Sequence, residues 1–216
     1  MSSLPVHRSI VLFDIERSTN AFRTNPIKRE LRRELYRMVG EAMAYSGIDG
    51  RWHDPFEDRG DGVLLLVRPV DRVPKTHLLS KLIPELTRQL VSYNLALPSD
   101  ERQRRGLRLR AVVHAGEVHR DGKGYFGEAI DVACRMLDTA RLRSVLREAA
   151  APLVLAVSEA IYWGLVKHEY DGIPADAYQP DFKVTVAGRR HQAFVHVPST
   201  LVAVPTNGQE RESFIA

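Results

Sequence analysis

The sequence predicts an α+β sandwich, with helices covering one face of a mainly antiparallel sheet. Three observations predict it: two apolar runs that each carry an aspartate at one end, amphipathic helical stretches between the strand-like ones, and the order in which they alternate. The first run, Ser9-Ile10-Val11-Leu12-Phe13, ends in Asp14. The second lies in FEDRGDGVLLLV (56–67), where Gly60 and Gly62 permit a tight turn with positive backbone angles, Asp61 sits at its apex, and Val63 to Val67 read as a buried strand. An Asp-Gly pair alone is a common hairpin signal. Two buried strands that each deliver one aspartate to an end describe a two-metal site.

Taken in order, the first strand runs from about Arg8 to Asp14. Asn25-Pro26 starts a helix, with Asn25 as cap and Pro26 at the first helical position. Leu31, Leu35, Met38, Val39, Ala42 and Met43 recur at helical spacing until Gly47. A second strand is expected over Arg51 to Glu57, with Gly62 to Val67 returning antiparallel to it. Leu78 to Val91 mark a second helix that contains Pro84, so a kink or break is expected there. Leu107, Leu109, Ala111 and Val113 alternate as a strand ending at Gly116, and HRDGKGYFG reads as a loop. A third helix is expected from Glu128 to about Glu148. Beyond it come a strand over Leu153 to Val157, a short helix from Ser158-Glu159, a loop over 168–182 and a hairpin over 183–186 and 192–197. The order β-α-β-β-α-β with an appended α-β part implies a sandwich of ferredoxin-like type. One domain over residues 1–200 and a disordered tail over 201–216 are expected.

With 216 residues, 31 basic against 27 acidic side chains and a net charge of +4, the excess is too small to argue for nucleic acid. The basic residues are local: Arg102, Arg104, Arg105, Arg108 and Arg110, then Arg135, Arg141, Arg143 and Arg147. Such a run is either a solvated face or a surface for an anion such as a triphosphate. Cys134, the single cysteine, excludes an intrachain disulfide. No apolar run is long enough to span a membrane and MSSLPVHRS has no apolar signal core, so a cytoplasmic location is expected.

Asp14 and Asp61 are the leading candidates for chemistry. Mg²⁺ and Mn²⁺ prefer hard oxygen ligands, and a pair of such cations can activate one oxygen while neutralising charge on a phosphate. From spacing alone, Asp14 could equally cap the following loop and Asp61 only build a turn. Asp131 and Arg135 are four apart and share a helix face, either as a surface ion pair or as an arginine held ready for a phosphate. His114 and His119 flank a turn, but no cysteine or third histidine completes a zinc set.

VLFDIERST (11–19), RGDGVLLLV (59–67), LRLRAVVHAGEVH (107–119) and GYFGEAIDVACRMLD (124–138) resemble, in order, the four motifs of the class III nucleotidyl cyclase catalytic domain. The resemblance covers residues 8 to about 160. It implies a ferredoxin-like sandwich, a head-to-tail homodimer with active sites shared between subunits, and conversion of a nucleoside triphosphate to a 3′,5′-cyclic nucleotide and pyrophosphate. By position, Asp14 and Asp61 match the metal-binding aspartates, and the carbonyl of Ile15 matches the backbone metal ligand of two Mn²⁺ or Mg²⁺ ions. Arg135 matches the arginine that stabilises the transition state. Phe13 to Phe22, with Ser18 and Thr19, match the loop that cradles the triphosphate.

Three positions depart from the pattern. Asp131 stands where the family has a ribose-orienting asparagine, and Glu57 where adenylate cyclases have a lysine. Gly124 stands where they have an adenine-reading aspartate. The adenine-reading pair is therefore missing. Arg51-Trp52, just upstream, could offer a guanidinium and a stacking plane, although core packing is the stronger account of Trp52. This set is similar to the pyrimidine cyclases of bacterial anti-phage Pycsar systems, which implies UTP as substrate, cyclic UMP as product and a downstream cyclic-nucleotide-binding effector. The competing readings are a guanylate or other purine cyclase and a catalytically inactive sensing or dimerisation module.

Overall fold

A computed structural model describes residues 4–199. Its central strand, β1 (Val6–Ile15), is buried from Ser9 onward, because the run has no charged residue until Asp14. Alternation sends Val11, Phe13 and Ile15 to one side and Ile10 and Leu12 to the other, and each side has its own core. β2 (Glu57–Asp58), β3 (Gly62–Val67), β4 (Leu109–Arg120), β5 (Tyr125–Phe126), β6 (Leu153–Ser158), β7 (Gln179–Val186) and β8 (Arg189–His196) complete the sheet. Its order is β2-β3-β1-β4-β6-β8-β7, with β5 paired to the end of β4. Only β4 and β6 are parallel among these pairs; the rest are antiparallel, as the sequence predicts.

The helices are α1 (Asn25–Tyr45), α2 (Ile83–Ala96), α3 (Arg102–Arg105), α4 (Glu128–Leu137), α5 (Ala140–Glu148) and α6 (Glu159–Gly164). They lie on both faces of the sheet, not on one. The apolar sides of α1 and α2 join the core beneath Val11 and Phe13, whereas α4 and α5 join the core over Ile10 and Leu12. All six residues of β3 are buried, and Val63 to Val67 feed the two cores in alternation.

Several boundaries differ from those the sequence predicts, among them β4, which runs past Gly116 to Arg120, and β7, which begins at Gln179 within the expected loop over 168–182. Thr24, not Asn25, is the N-cap of α1, which moves Pro26 one residue further into the helix. The strand expected over 51–57 shrinks to Glu57–Asp58: Pro55 has no N–H to give a ladder, and upstream only His53 makes an isolated bridge to Val67. The long third helix is two helices, because Thr139 caps α5 by accepting from the Leu142 N–H. Within the predicted loop over 119–127, Tyr125 and Phe126 pair with Arg120 and His119. The break at Pro84 is present: a π-helical turn, Leu78–Leu82, precedes α2, and Pro84 sits in the first turn of α2. The tail over 201–216 lies outside the described residues.

Candidate active site

Antiparallel pairing of β1 with β3 sets Asp14 opposite Gly62. The turn before β3 closes on it: the Ile15 N–H donates to the Asp61 carbonyl at 3.0 Å, and the Arg59 N–H to the Gly62 carbonyl at 3.1 Å. Gly60 adopts a positive φ of 79°. Gly62 does not, contrary to the sequence reading. Its role is close approach, since a Cβ there would run into the main-chain oxygen of Phe13. The fold thus brings Asp14 and Asp61 together. Phe13 is buried in the core, so only its main chain faces this turn.

The two carboxylates sit in different settings. Asp14 is buried and ion-paired with Arg110, itself buried, which lies opposite it on β4. Burial pushes the Asp14 carboxyl up to about 6, opposed by the Arg110 charge and reinforced by neighbouring Asp61. Asp61 is half-buried and accepts a short hydrogen bond from the Ser18 hydroxyl. Two hard-oxygen carboxylates side by side in a partly dry site fit a divalent cation, whose charge would favour the ionised form of Asp14. The main chain of Ile15 adjoins both. Among the described residues no cluster of three or more His, Cys, Asp or Glu side chains offers a metal site, so protein ligands here would be two carboxylates and main-chain oxygen.

Two cavities of about 320 Å³ flank this pair, and Ile15, Ser18, Thr19 and Asp61 line both. One extends toward α1, past Lys28 and Arg32. The other extends toward α5, past Arg17, Arg110, Arg143 and Arg147. The loop between β1 and α1 is fixed by buried Arg23, which donates to the carbonyls of Glu16 at 2.6 Å and Gly106 at 2.7 Å. A larger cavity, about 520 Å³, opens beside α2 between Tyr45 and Tyr178, and it contains none of the predicted site residues.

Other predicted residues fall elsewhere. Asp131 and Arg135 are exposed on α4, and among the described residues their side chains make no hydrogen bond or ion pair, with each other or with Asp14 or Asp61. Glu57 and Gly124 do meet. A Cβ on Gly124 would lie 3.5 Å from Glu57 Oε2, which accepts from the Tyr125 N–H at 3.2 Å, and Glu57 Oε1 pairs with Arg59 at 3.1 Å. Arg51 points elsewhere: it pairs with Asp49 at 2.7 Å and lies over the Trp52 ring. Trp52 packs against the α1-side core, and no hydrogen bond, ion pair or ring contact links either residue to Glu57. Arg59, not Arg51, is the guanidinium beside Glu57. His114 hydrogen-bonds Ser158 at 2.7 Å and His119 stacks on Phe126, so both are structural.

Arg110 was legible only as one of a basic run; its meeting with Asp14 depends on strand register, which no local motif carries. No protein-family model and no curated protein matches the chain. Solved structures do. The adenylate/guanylate cyclase/hydrolase from Silicibacter pomeroyi superposes with a TM-score of 0.60 at 16% identity, covering 90% of this chain and 98% of that one. The guanylyl cyclase Cya2 gives 0.58 at 14% identity, covering 96% and 98%. The adenylyl cyclase CyaB from P. aeruginosa gives 0.58 at 14% identity, covering 90% and 96%. On its strands, helices and their order, this chain has the fold of the class III nucleotide cyclases.

Proposed function

We propose that the protein is a nucleotide cyclase. The observation that carries this reading is the meeting of Asp14 and Asp61 at adjacent strand ends, beside a cavity walled by arginines. The 3′-oxygen of the ribose attacks the α-phosphorus, the bond to pyrophosphate breaks, and the 3′-hydroxyl proton passes to solvent. Asp14 and Asp61, with the Ile15 carbonyl, would hold two Mn²⁺ or Mg²⁺ ions, whose charge favours the alkoxide and offsets the phosphate oxygens. Ser18, Thr19 and the amides of the loop after β1 position the polyphosphate, and Arg110 adds a fixed positive charge beside it. Arg135, exposed and without an ion pair among the described residues, reaches the site of a second copy, which makes the working unit a homodimer with shared active sites. Asp131 would orient the ribose there.

The base is read by Glu57. Its carboxylate accepts from the uracil N3–H, and Arg59 beside it donates to a uracil carbonyl, so UTP is the favoured substrate and cyclic UMP the product. ATP presents an N1 acceptor to an ionised glutamate. Losing a matched hydrogen bond to a charged group costs about 1.5–3 kcal/mol, or roughly ten- to hundredfold in rate. GTP is the closest competitor, since its N1–H also suits Glu57. The resemblance to pyrimidine cyclases makes bacterial antiviral defence the setting, with a cyclic-nucleotide-binding effector as partner. Incubation with each of the common nucleoside triphosphates and Mn²⁺, followed by mass spectrometry, tests both levels. No cyclic product from any of them overturns the cyclase reading, and predominant cyclic GMP or cyclic AMP overturns the base assignment alone.

A further inference from the structure

The helix α5 follows the last of the four matched motifs, and beside it the cavity at Asp61 is most basic. Leu142 and Leu146 are fully buried and fix the helix on the core. Arg143 and Arg147, four residues apart, therefore share a different face, and both line the cavity with Asp61 and Ser18. Arg108 ties this helix to the loop after β1. Its guanidinium donates to the carbonyls of Leu146, of Ala149 at 2.8 Å and of Ala151 at 3.3 Å, and it pairs with Glu16 at 3.4 Å. Neither arginine is locked away. Arg143 has one loose ion pair, 3.6 Å to exposed Asp138; Arg147 hydrogen-bonds Ser144 at 3.2 Å and has no ion pair among the described residues.

We propose that α5 is a pyrophosphate clamp. Arg143 and Arg147 hold the terminal phosphates of the substrate, and the pyrophosphate it releases, at the end of the cavity away from the reacting α-phosphorus. This rests on the cyclase reading and adds to it: α5 becomes part of substrate recognition, selecting triphosphates over monophosphates. The α-phosphorus must lie by Asp14 and Asp61, and the cavity leads from Asp61, and from Arg110 that pairs with Asp14, to the two guanidinium groups. An extended polyphosphate that starts at one end finds cations at the other. Arg17, with a left-handed φ of 55° at the same rim, adds a further cation.

The test titrates inorganic pyrophosphate with Mn²⁺ into the whole protein by calorimetry, alongside R143A/R147A, R143K/R147K and R141A. Arg141 lies on the same helix but pairs with Asp181, outside the cavity. Removal of two charge-assisted contacts is expected to weaken pyrophosphate at least about tenfold in the alanine pair, with partial retention in the lysine pair and no change in R141A. Equal melting temperatures would show that the fold survives; if the alanine pair melts early, the lysine pair against R141A carries the comparison. Pyrophosphate affinity in the folded arginine variants within twofold of the parent, or no binding by the parent itself, overturns the clamp. Arginine-dependent pyrophosphate binding in a protein that yields no cyclic nucleotide would leave the clamp standing and remove the cyclase reading instead.

Discussion

Replacing Gly116 with alanine tests how closely the helix that bears Arg135 is seated. A Cβ at Gly116 would lie 2.6 Å from the Cβ of Ala129, in the first turn of α4. Methyl carbons pack at about 3.5–4.0 Å, so α4 or β4 must give way by roughly 1 Å. Overpacking of this kind costs about 1–3 kcal/mol, which for a chain of this length lowers the melting temperature by roughly 2–4 °C per kcal/mol. Activity should fall further than stability does. The C-terminal end of α4 holds Arg110 through the Leu137 carbonyl at 3.2 Å, and Arg110 holds Asp14. A displacement near 1 Å of groups that align reacting atoms can cost about a hundredfold in rate. Adding Ala129→Gly removes the opposing methyl and should recover most of the turnover, despite the weaker helix propensity of glycine. The assay is cyclic nucleotide formation beside thermal melting for both single variants and the double. An unaltered melting temperature and rate in Gly116→Ala, or no recovery in the double variant, would refute the packing argument.

Three other outcomes are expected. Asp61→Asn and Arg135→Ala should each abolish cyclic nucleotide formation and, when mixed under subunit exchange, regain part of it, because a heterodimer carries both defects in one site and neither in the other; exchange proven by mass spectrometry without recovery would count against shared sites. Gly62→Ala should abolish turnover by forcing the Asp61 turn away from Phe13, whereas Gly60→Ala, with open space around its Cβ position, should cost only about 1–2 kcal/mol of left-handed strain; equal effects of the two in melting and turnover assays would contradict this division of roles. Burial, with His191 and His7 nearby, pushes the His114 imidazole down to about 4. The unfolded chain therefore binds the extra proton between about pH 6.5 and 4, and stability falls with acid across that window, by a total of about 3 kcal/mol at 1.36 kcal/mol per pKa unit. Denaturant titrations of wild type and His114→Phe should diverge below pH 6.5; parallel curves would remove His114 as the cause.

The strands and their aspartates were legible because burial and alternation write themselves into local sequence: Ile10 to Asp14 and Gly62 to Val67 stand within a residue or two of where they were read. The loop and helix ends were legible where Gly47 and Pro84 punctuate the chain. The pairing of Arg110 with Asp14 was not, since it joins residues 96 positions apart through sheet register. Glu57 and Gly124 were found from the motif that they fail to match, and their contact crosses 67 residues of chain. Arg51 was misplaced for a local reason. An aspartate two residues before it captures its guanidinium, and Trp52 is drawn to the core, so the neighbour at Arg59 is left for Glu57. Helices on both faces escaped notice because an amphipathic pattern states that one side is buried but not which side of a sheet buries it.

The broken segment beside β3 bears on how the protein ages in solution. Val63-Leu64-Leu65-Leu66-Val67 is uncharged, rich in aliphatic residues and free of proline, the composition that stacks into fibrils when its edge is bare. Its inner edge is taken by β1. Its outer edge is screened only by Glu57, Asp58 and the irregular stretch around Pro55, where Asp54 is gripped by Arg8 at 2.7 Å and Arg68 at 3.1 Å. That ionic latch, more than the two-residue ladder, keeps the edge covered. Arg8 and Arg68 hold the Asp54 carboxyl below the usual carboxylate range, so the latch persists through mild acid and salt and opens only in strong acid, where cloudiness should begin at this flank.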